Sequence, residues 1–243
     1  TIQGYVVGGH SSYIAQTMRD ARIGAGGGQE LRIDTLFRYN PTNDSIFAIA
    51  PAVPAMLLLM FPAILMAISV AREREIGTIT NFYVTPTRRT EFLLGKQLPY
   101  LAIGMINYLI MTAMAVYVFG VPLKGSFAVL TLGALAYVMA STSYGLLIST
   151  FSKTQVTAVF ATMVIAMMPT VIFSGMIQPV ETLEGGARLI GSFWPTRYYM
   201  EMSVGAFTKG LSAAQLLENI PLIALFIPIF AGPALVLLKK QEA

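Results

Sequence analysis

The feature that most limits what this chain can fold into is a set of five long stretches without a single charged residue. A helix needs roughly 20 apolar residues to cross the hydrocarbon core of a membrane, and every stretch is long enough. Because lipid offers no hydrogen-bonding partner to backbone groups, each stretch must be helical. We predict membrane spans at about residues 47–70, 98–119, 127–149, 156–175 and 219–238.

The composition of the 243 residues agrees with an all-α integral membrane protein. Hydrophobic residues make up 55% of the chain and charged residues only 12%, whereas soluble domains average about 25% charged. Cysteine is absent and there is one histidine, His10. These counts exclude a disulfide framework and a site built from several histidines or thiolates, so we expect no metal.

The loop charges predict an orientation. Five crossings place the two ends of the chain on opposite faces. Eight basic and four acidic residues lie on the face that carries residues 71–97 and the C-terminus, against eight of each on the other face. Because basic residues collect on the cytoplasmic side, we expect a cytoplasmic C-terminus. Residues 1–46 are then extracytoplasmic, with a helix at about 3–20 and a short strand at 31–39.

The predicted spans contain no Asp, Glu, Lys, Arg or His. Ion-coupled carriers usually keep an ionisable residue at membrane depth, so energy for any transport has to come from elsewhere. An intramembrane enzyme needs a catalytic constellation there, and we expect no catalytic residue. The glycine run Gly24–Gly28 ends in Gln29-Glu30 and lacks the Lys-Ser/Thr of a nucleotide-binding loop.

Hydroxyl groups in the third span suggest two interpretations. Tyr137, Ser141 and Tyr144 share one face, and Ser141, Gly145 and Ser149 form a ladder of small residues. Such a face fits the wall of a mildly polar pathway. It equally fits close helix packing, for which small residues are favoured in lipid.

Two loops are longer than simple connectors. In residues 71–97, charged Arg72–Glu75 precede apolar residues at helical spacing, which predicts an amphipathic helix at 72–83 on the cytoplasmic surface. That helix serves either to dock a partner or to anchor the fold. Residues 176–218 mix glycine, proline and aromatic residues, which favours one or two short helices on or in the outer leaflet.

Five segments form a characteristic series along the chain. The first is Ala-Arg-Glu-Arg-Glu-Ile-Gly-Thr-Ile-Thr at residues 71–80. It is followed by the segment 84–100, Phe-Gly-Val-Pro at 119–122, Gly-Leu-Leu-Ile-Ser-Thr at 145–150 and Ser-Gly-Met-Ile-Gln-Pro-Val-Glu at 174–181. In this order, the segments resemble ABC-2 type permeases, and among them the permease half of ribosome-associated ATPase-type fusion proteins. The resemblance covers about residues 40–240.

The resemblance implies a fold and a division of roles. Such permeases usually have six spans, with a large extracytoplasmic domain between the first two. This chain would lack the first span, residues 1–46 would be the end of that domain, and 47–243 the transmembrane domain. The coupling region 71–97 would contain the ATPase-coupling residues Glu73, Arg74, Glu75, Ile76, Gly77 and Thr78. The re-entrant region 176–218 and the residues before it would hold the extracytoplasmic gate Ser174, Gly175, Pro179 and Glu181.

The resemblance also implies a function and partners. The chain would be the permease of an ATP-binding cassette exporter in a bacterial plasma membrane, or the inner membrane of a Gram-negative cell. ATP and magnesium would bind to a partner or fused ATPase domain. The other partners would be a second permease copy or a paralogue and membrane lipid, with no direct nucleic-acid contact. The alternative is a membrane scaffold for an ATPase or a ribosome-associated factor that transports nothing.

Overall fold

The computed structural model describes residues 45–77, 89–176 and 180–237, and within these residues there are helices and no strand. The helix expected at 3–20 and the strand expected at 31–39 lie outside the described part of the chain. The described α-helices are α1 (Ser45–Ile76), α2 (Arg89–Ala113), α3 (Phe127–Phe151), α4 (Gln155–Phe173), α5 (Gly185–Ser192), α6 (Pro195–Val204), α7 (Ala213–Leu217) and α8 (Asn219–Leu237).

The prediction of five visible spans is confirmed. Among the described residues, the helical segments long and apolar enough to cross a membrane are Ile49–Ile76, Leu93–Val118, Phe127–Phe151, Gln155–Phe173 and Ala213–Leu237. The second includes a π-helical turn, Met114–Val118, that extends α2. The chain is therefore an all-α, multi-pass integral membrane protein.

The charged end of α1 differs from the expected surface helix. Residues 72–76 are the last turn of α1 and do not begin a new helix, so the prediction of a separate element at Arg72 is wrong. Arginine and glutamate are good helix formers, which lets the helix continue past the apolar run. Gly77 then ends it with φ of +80°, a conformation that glycine adopts without strain. Residues 78–88 lie outside the described part.

The centre of the bundle is formed by α3 and α1. The burial of the most apolar 18-residue stretch differs between the spans. This stretch is 61% buried in α3 and 50% in α1, against 22% in α2, 22% in α4 and 17% in the segment that contains α8. The three outer spans thus keep most of their apolar surface for lipid.

Side-chain hydroxyls of α3 bind the backbone of α1. Tyr137 donates to the carbonyl oxygen of Ala55 at 2.7 Å, and Ser141 donates to that of Leu59 at 2.5 Å. Both pairs are 82 residues apart. Because the residue number rises in the same direction on both helices, α1 and α3 run parallel and in fixed register.

One helical turn further along, Gly145 allows the backbones of α1 and α3 to come into close contact. A Cβ atom at Gly145 would overlap the carbonyl group of Ala63. This pair keeps the same offset as the two hydroxyl bonds. Close approach through a small residue is a common way to pack helices in lipid, and here it continues the α1–α3 register.

The segment between α4 and α8 contains more short helices than the one or two predicted. It consists of a 3₁₀ turn at Val180–Thr182, α5, α6, a π-helical turn at Gly205–Lys209 and α7. Pro195 opens α6 at the position where its missing N–H costs nothing. The Ser203 hydroxyl donates to the Pro51 carbonyl at 2.6 Å, which fixes α6 beside the start of α1.

Candidate functional site

The side chain of Arg74, near the end of α1, reaches the last turn of α3. Its Nη1 lies 2.7 Å from the carbonyl oxygen of Thr150, 3.2 Å from that of Ser149 and 3.5 Å from that of Ser152. The final carbonyls of a helix lack intrahelical donors, and a cation is favourable at this negative end of the helix dipole. Arg74 therefore caps α3 in trans.

The next residue, Glu75, binds the start of α4. Its Oε2 accepts from the backbone N–H of Gln155 and from the side-chain Nε2 of the same residue, both at 3.1 Å. Thr154 and Thr157 complete the cap with a reciprocal box. An anion is favourable at a helix N-terminus, so adjacent residues of opposite charge hold opposite ends of α3 and α4.

Glu73, the residue before Arg74, connects α1 to α2. Its carboxylate lies 2.5 Å from Lys96 Nζ, which also donates to the Ser69 carbonyl at 3.1 Å. The Lys96 side chain is only 10% exposed. Since the Glu73 side chain is 35% exposed, the pair is partly buried and is screened less by solvent than a fully exposed salt bridge.

Hydrogen bonds from Gln97, the residue after Lys96 in α2, extend this connection to α3. Gln97 Nε2 donates to Thr142 Oγ1 at 2.9 Å and to Ser143 Oγ at 2.8 Å. The amide group has two N–H donors, and each finds one hydroxyl. Helices α1, α2, α3 and α4 are therefore tied together at one end of the bundle.

Of the six sequence-predicted coupling residues, Glu73, Arg74 and Glu75 form a junction that we call the Glu73–Glu75 clamp. Arg72 and Ile76 flank it with exposed side chains, Ile76 being 60% exposed. Thr78, the last predicted coupling residue, lies outside the described part. Any movement imposed on the chain after Gly77 would reach three other helices through the clamp. Sequence reasoning identified these residues but missed that their charges bind helix ends of the same chain.

The predicted pathway residues are buried. Tyr137 and Ser141 are 0% exposed, and both hydroxyls bind α1, as described for the register. Tyr144 is 3% exposed, and its hydroxyl has no hydrogen-bond partner among the described residues. Its ring makes edge contacts with Trp194 and Phe230. In this conformation the bonds of Tyr137 and Ser141 are those of helix packing.

Tyr137 also ends a buried chain of hydrogen bonds. Trp194 Nε1 donates to Thr170 Oγ1 at 2.9 Å, Thr170 and Thr196 hydroxyls lie 3.3 Å apart, and Thr196 Oγ1 lies 2.8 Å from the Tyr137 hydroxyl. The indole only donates and the Ala55 carbonyl only accepts. If each hydroxyl donates its single proton once, every bond of this chain has its donor on the Trp194 side and its acceptor on the Ala55 side.

This chain joins α4, α6, α3 and α1, and we call it the Trp194–Ala55 chain. The sequence marked Tyr137 as a polar position within a span. No pattern distinguishes Thr196 from Thr182 and Thr208, the other two threonines of residues 176–218. Only the docking of α6 brings Thr196 between α3 and α4.

The predicted gate is described only in part. Ser174 is buried and donates to the Thr170 carbonyl, and Gly175 follows with φ of +92°. Pro179 and the side chain of Glu181 lie outside the described part. Ser174 and Gly175 line a cavity of about 600 Å³ with residues of the loop that follows, including Glu201 and Lys209.

Comparisons with known proteins place this arrangement in a family. Residues 12–236 match the family model described as ABC-2 family transporter protein. The chain is 28% identical over 235 residues to the probable multidrug ABC transporter permease YbhS of Escherichia coli (strain K12), a match of 95% of this chain and 61% of that protein. No solved structure matches.

A second relative from the same organism is the probable multidrug ABC transporter permease YbhR. It is 29% identical over 174 residues, which are 72% of this chain and 47% of YbhR. The chain thus spans about half to three fifths of the length of these two relatives. Since the family model covers nearly all of its residues, including every described span, the chain belongs to the ABC-2 transporter permease family.

Proposed function

We propose that this chain is the membrane permease part of an ATP-binding cassette exporter. It moves an unidentified substrate with energy from ATP that a partner or fused ATPase domain hydrolyses, and ATP and magnesium bind to that domain. Membership of the permease family supports this assignment. The relatives are named as multidrug permeases, but nothing in the described residues indicates the substrate.

The observation that carries the proposal is the Glu73–Glu75 clamp. Three consecutive charged residues bind α2, the end of α3 and the start of α4. An ATPase that moves the segment after Gly77 would therefore pull on four helices together. This is the mechanical connection that a permease without a catalytic residue needs, and it assigns a role to each of Glu73, Arg74 and Glu75.

The proposed function also assigns an orientation, a second permease and a gate. The clamp end faces the cytoplasm, as its excess of basic residues favours, and the cavity beside Ser174 and Gly175 faces the opposite side. A second permease copy or a paralogue completes the pathway at the shared interface. Ser174, Gly175, Pro179 and Glu181 form the extracytoplasmic gate.

The test is ATP hydrolysis by the cognate ATPase in lipid vesicles, with and without the full-length permease. We expect the permease to change the rate. Glu75→Gln should reduce that change because a neutral amide oxygen holds the start of α4 more weakly than a carboxylate does, while co-purification with the ATPase persists. Glu184→Gln is the matched control, since Glu184 is exposed, caps α5 without a side-chain bond and lies at the other end of the bundle.

A permease that leaves the ATPase rate unchanged would instead support a scaffold that transports nothing. The use of the Tyr137 and Ser141 hydroxyls in helix packing is the observation that favours this second function. Equal rates with the wild type and Glu75→Gln, both different from the ATPase alone, would show that coupling does not pass through Glu75.

A further inference from the structure

A groove lies between the end of α3 and the first half of α4. It has a volume of about 440 Å³ and is lined mainly by apolar side chains, with Lys153 at one end. That volume lies within the range of about 300–1,000 Å³ found for small-molecule sites. We call it the α3–α4 groove. Its lining includes Ile148, Phe151, Lys153, Thr157, Ala161 and Ile165.

The length of the groove matches one leaflet of a membrane. A helix rises 1.5 Å per residue, so the lining residues of α4, from Thr157 to Ile165, cover roughly 12 Å, and Lys153 precedes them in the lining. The hydrocarbon core is about 30 Å thick, and half of it is about 15 Å. The groove therefore runs from the membrane surface at Lys153 to about the midplane.

The surface around the groove is apolar and exposed. Phe151 is 69% exposed, Phe160 61% and Ile165 49%. These residues belong to segments long and apolar enough to cross a membrane, so the groove opens toward lipid.

The position of Lys153 is fixed by its neighbours. The preceding Ser152 receives Arg74 on its carbonyl and donates its hydroxyl to the Ile148 carbonyl at 3.1 Å. The following Thr154 forms the cap of α4. Lys153 itself is exposed and forms no hydrogen bond or ion pair within the described residues. These bonds fix the backbone at Lys153, so its exposed ammonium group extends from the membrane-surface end of an apolar groove.

We propose that the α3–α4 groove binds one acyl chain of an anionic phospholipid, with the headgroup phosphate at Lys153. An apolar groove of one-leaflet depth with a cation at its surface end complements this ligand in length, polarity and charge. The proposal depends only on the membrane location of the chain and is independent of transport and of the ATPase.

The experiment uses the full-length permease in nanodiscs of phosphatidylcholine that contain a trace of phosphatidylglycerol with a photoreactive diazirine in its acyl chain. After illumination, peptide mapping should find labelled residues between 148 and 165. Unlabelled phosphatidylglycerol should compete better than added phosphatidylcholine. The expected preference is roughly fivefold, the contribution of one lysine near an anionic surface.

Three variants separate the parts of the site. Lys153→Gln should remove the preference for phosphatidylglycerol and leave acyl-chain labelling in the groove. Lys124→Gln, an exposed lysine at the other end of the bundle, should keep the preference. Ala161→Trp should fill the groove and reduce labelling of 148–165 severalfold. Ile165→Trp, at another lining position, is a second filling variant for the case that Ala161→Trp does not fold, as judged by size-exclusion chromatography.

Two results would overturn the proposal. The first is labelling spread over all lipid-facing helices with equal competition by both lipids, which describes ordinary annular lipid. The second is protection of 148–165 from the probe together with crosslinks between two permease chains, which would make the groove an interface between copies.

Discussion

Nη1 of Arg74 lies 2.7 Å from the carbonyl oxygen of Thr150, 76 residues further along the chain. The bond joins the end of one membrane span to the end of another. It is charge-assisted, and such bonds are stronger than those between neutral groups. The same guanidinium reaches the carbonyls of Ser149 and Ser152, so its removal takes the charged donor from all three carbonyls.

We predict that Arg74→Gln lowers the free energy of unfolding by about 1–3 kcal/mol, because carbonyls in a partly buried helix end lose a charged donor. The measurement is the thermal midpoint of the purified protein in detergent. Arg72→Gln is the control, since Arg72 has the same charge, lies on the same turn and is exposed. Equal midpoints for the two variants would show that the bonds of Arg74 contribute nothing to stability.

Gly145→Ala should also destabilise the bundle, by about 1–3 kcal/mol, because the added methyl group overlaps the Ala63 carbonyl and forces α1 and α3 apart. Gly232→Ala in α8 is the matched control, since its Cβ would meet nothing within 4 Å. That change should be neutral or slightly stabilising because alanine is the better helix former. Identical midpoints for wild type and Gly145→Ala would contradict the close approach.

The Trp194–Ala55 chain predicts coupling between Tyr137→Phe and Thr196→Val. Each change removes one hydroxyl and leaves a neighbour unpaired, so the double variant should lose less stability than the two single losses added together. The expected interaction energy is about 0.5–3 kcal/mol in a double-mutant cycle of thermal or denaturant unfolding.

Tyr137→Phe keeps the aromatic stack on Tyr199, whose ring centroid lies 4.5 Å away, so the cycle reports on the hydroxyls. Tyr117→Phe, at a site 85% exposed, is the control for loss of a tyrosine hydroxyl. Strict additivity of Tyr137→Phe and Thr196→Val would show that the two groups act separately.

The proposed orientation predicts which cysteines a membrane-impermeant maleimide reaches in intact cells. The 243 residues contain no cysteine, so Lys153→Cys and Lys209→Cys introduce a single thiol each at exposed positions at opposite ends of the bundle. We expect Lys209→Cys to react in intact cells of the native host type and Lys153→Cys to react only after permeabilisation. The reverse pattern would invert the assignment of the clamp to the cytoplasm.

The spans were predictable because long charge-free runs have one stable form in lipid. The end of α1 was not, since the alternation of arginine and glutamate at 72–75 suits both a continuing helix and a new surface helix. Its true course depends on the ends of α3 and α4, which are distant in sequence.

For the contacts of the site, the sequence indicated the side chains but not their partners. The sequence marked Tyr137 and Ser141 as a polar face and Glu73 to Glu75 as a charged cluster. The acceptors of Tyr137, Ser141 and Arg74 are the backbone carbonyls of Ala55, Leu59 and Thr150, and every residue possesses such a group. No residue pattern could therefore indicate the partners, and the choice between pathway wall and packing surface needed the structure.

The constant offset of 82 residues between α1 and α3 limits how these two helices can move. Sliding one along the other breaks the bonds at Ala55 and Leu59, and the next matching position lies one helical turn, about 5.4 Å, away. Small gradual shear between α1 and α3 is therefore excluded while the bonds persist. The two helices therefore move together as one rigid body. Any continuous widening of the bundle has to come from movement of the less buried α2, α4 and α8.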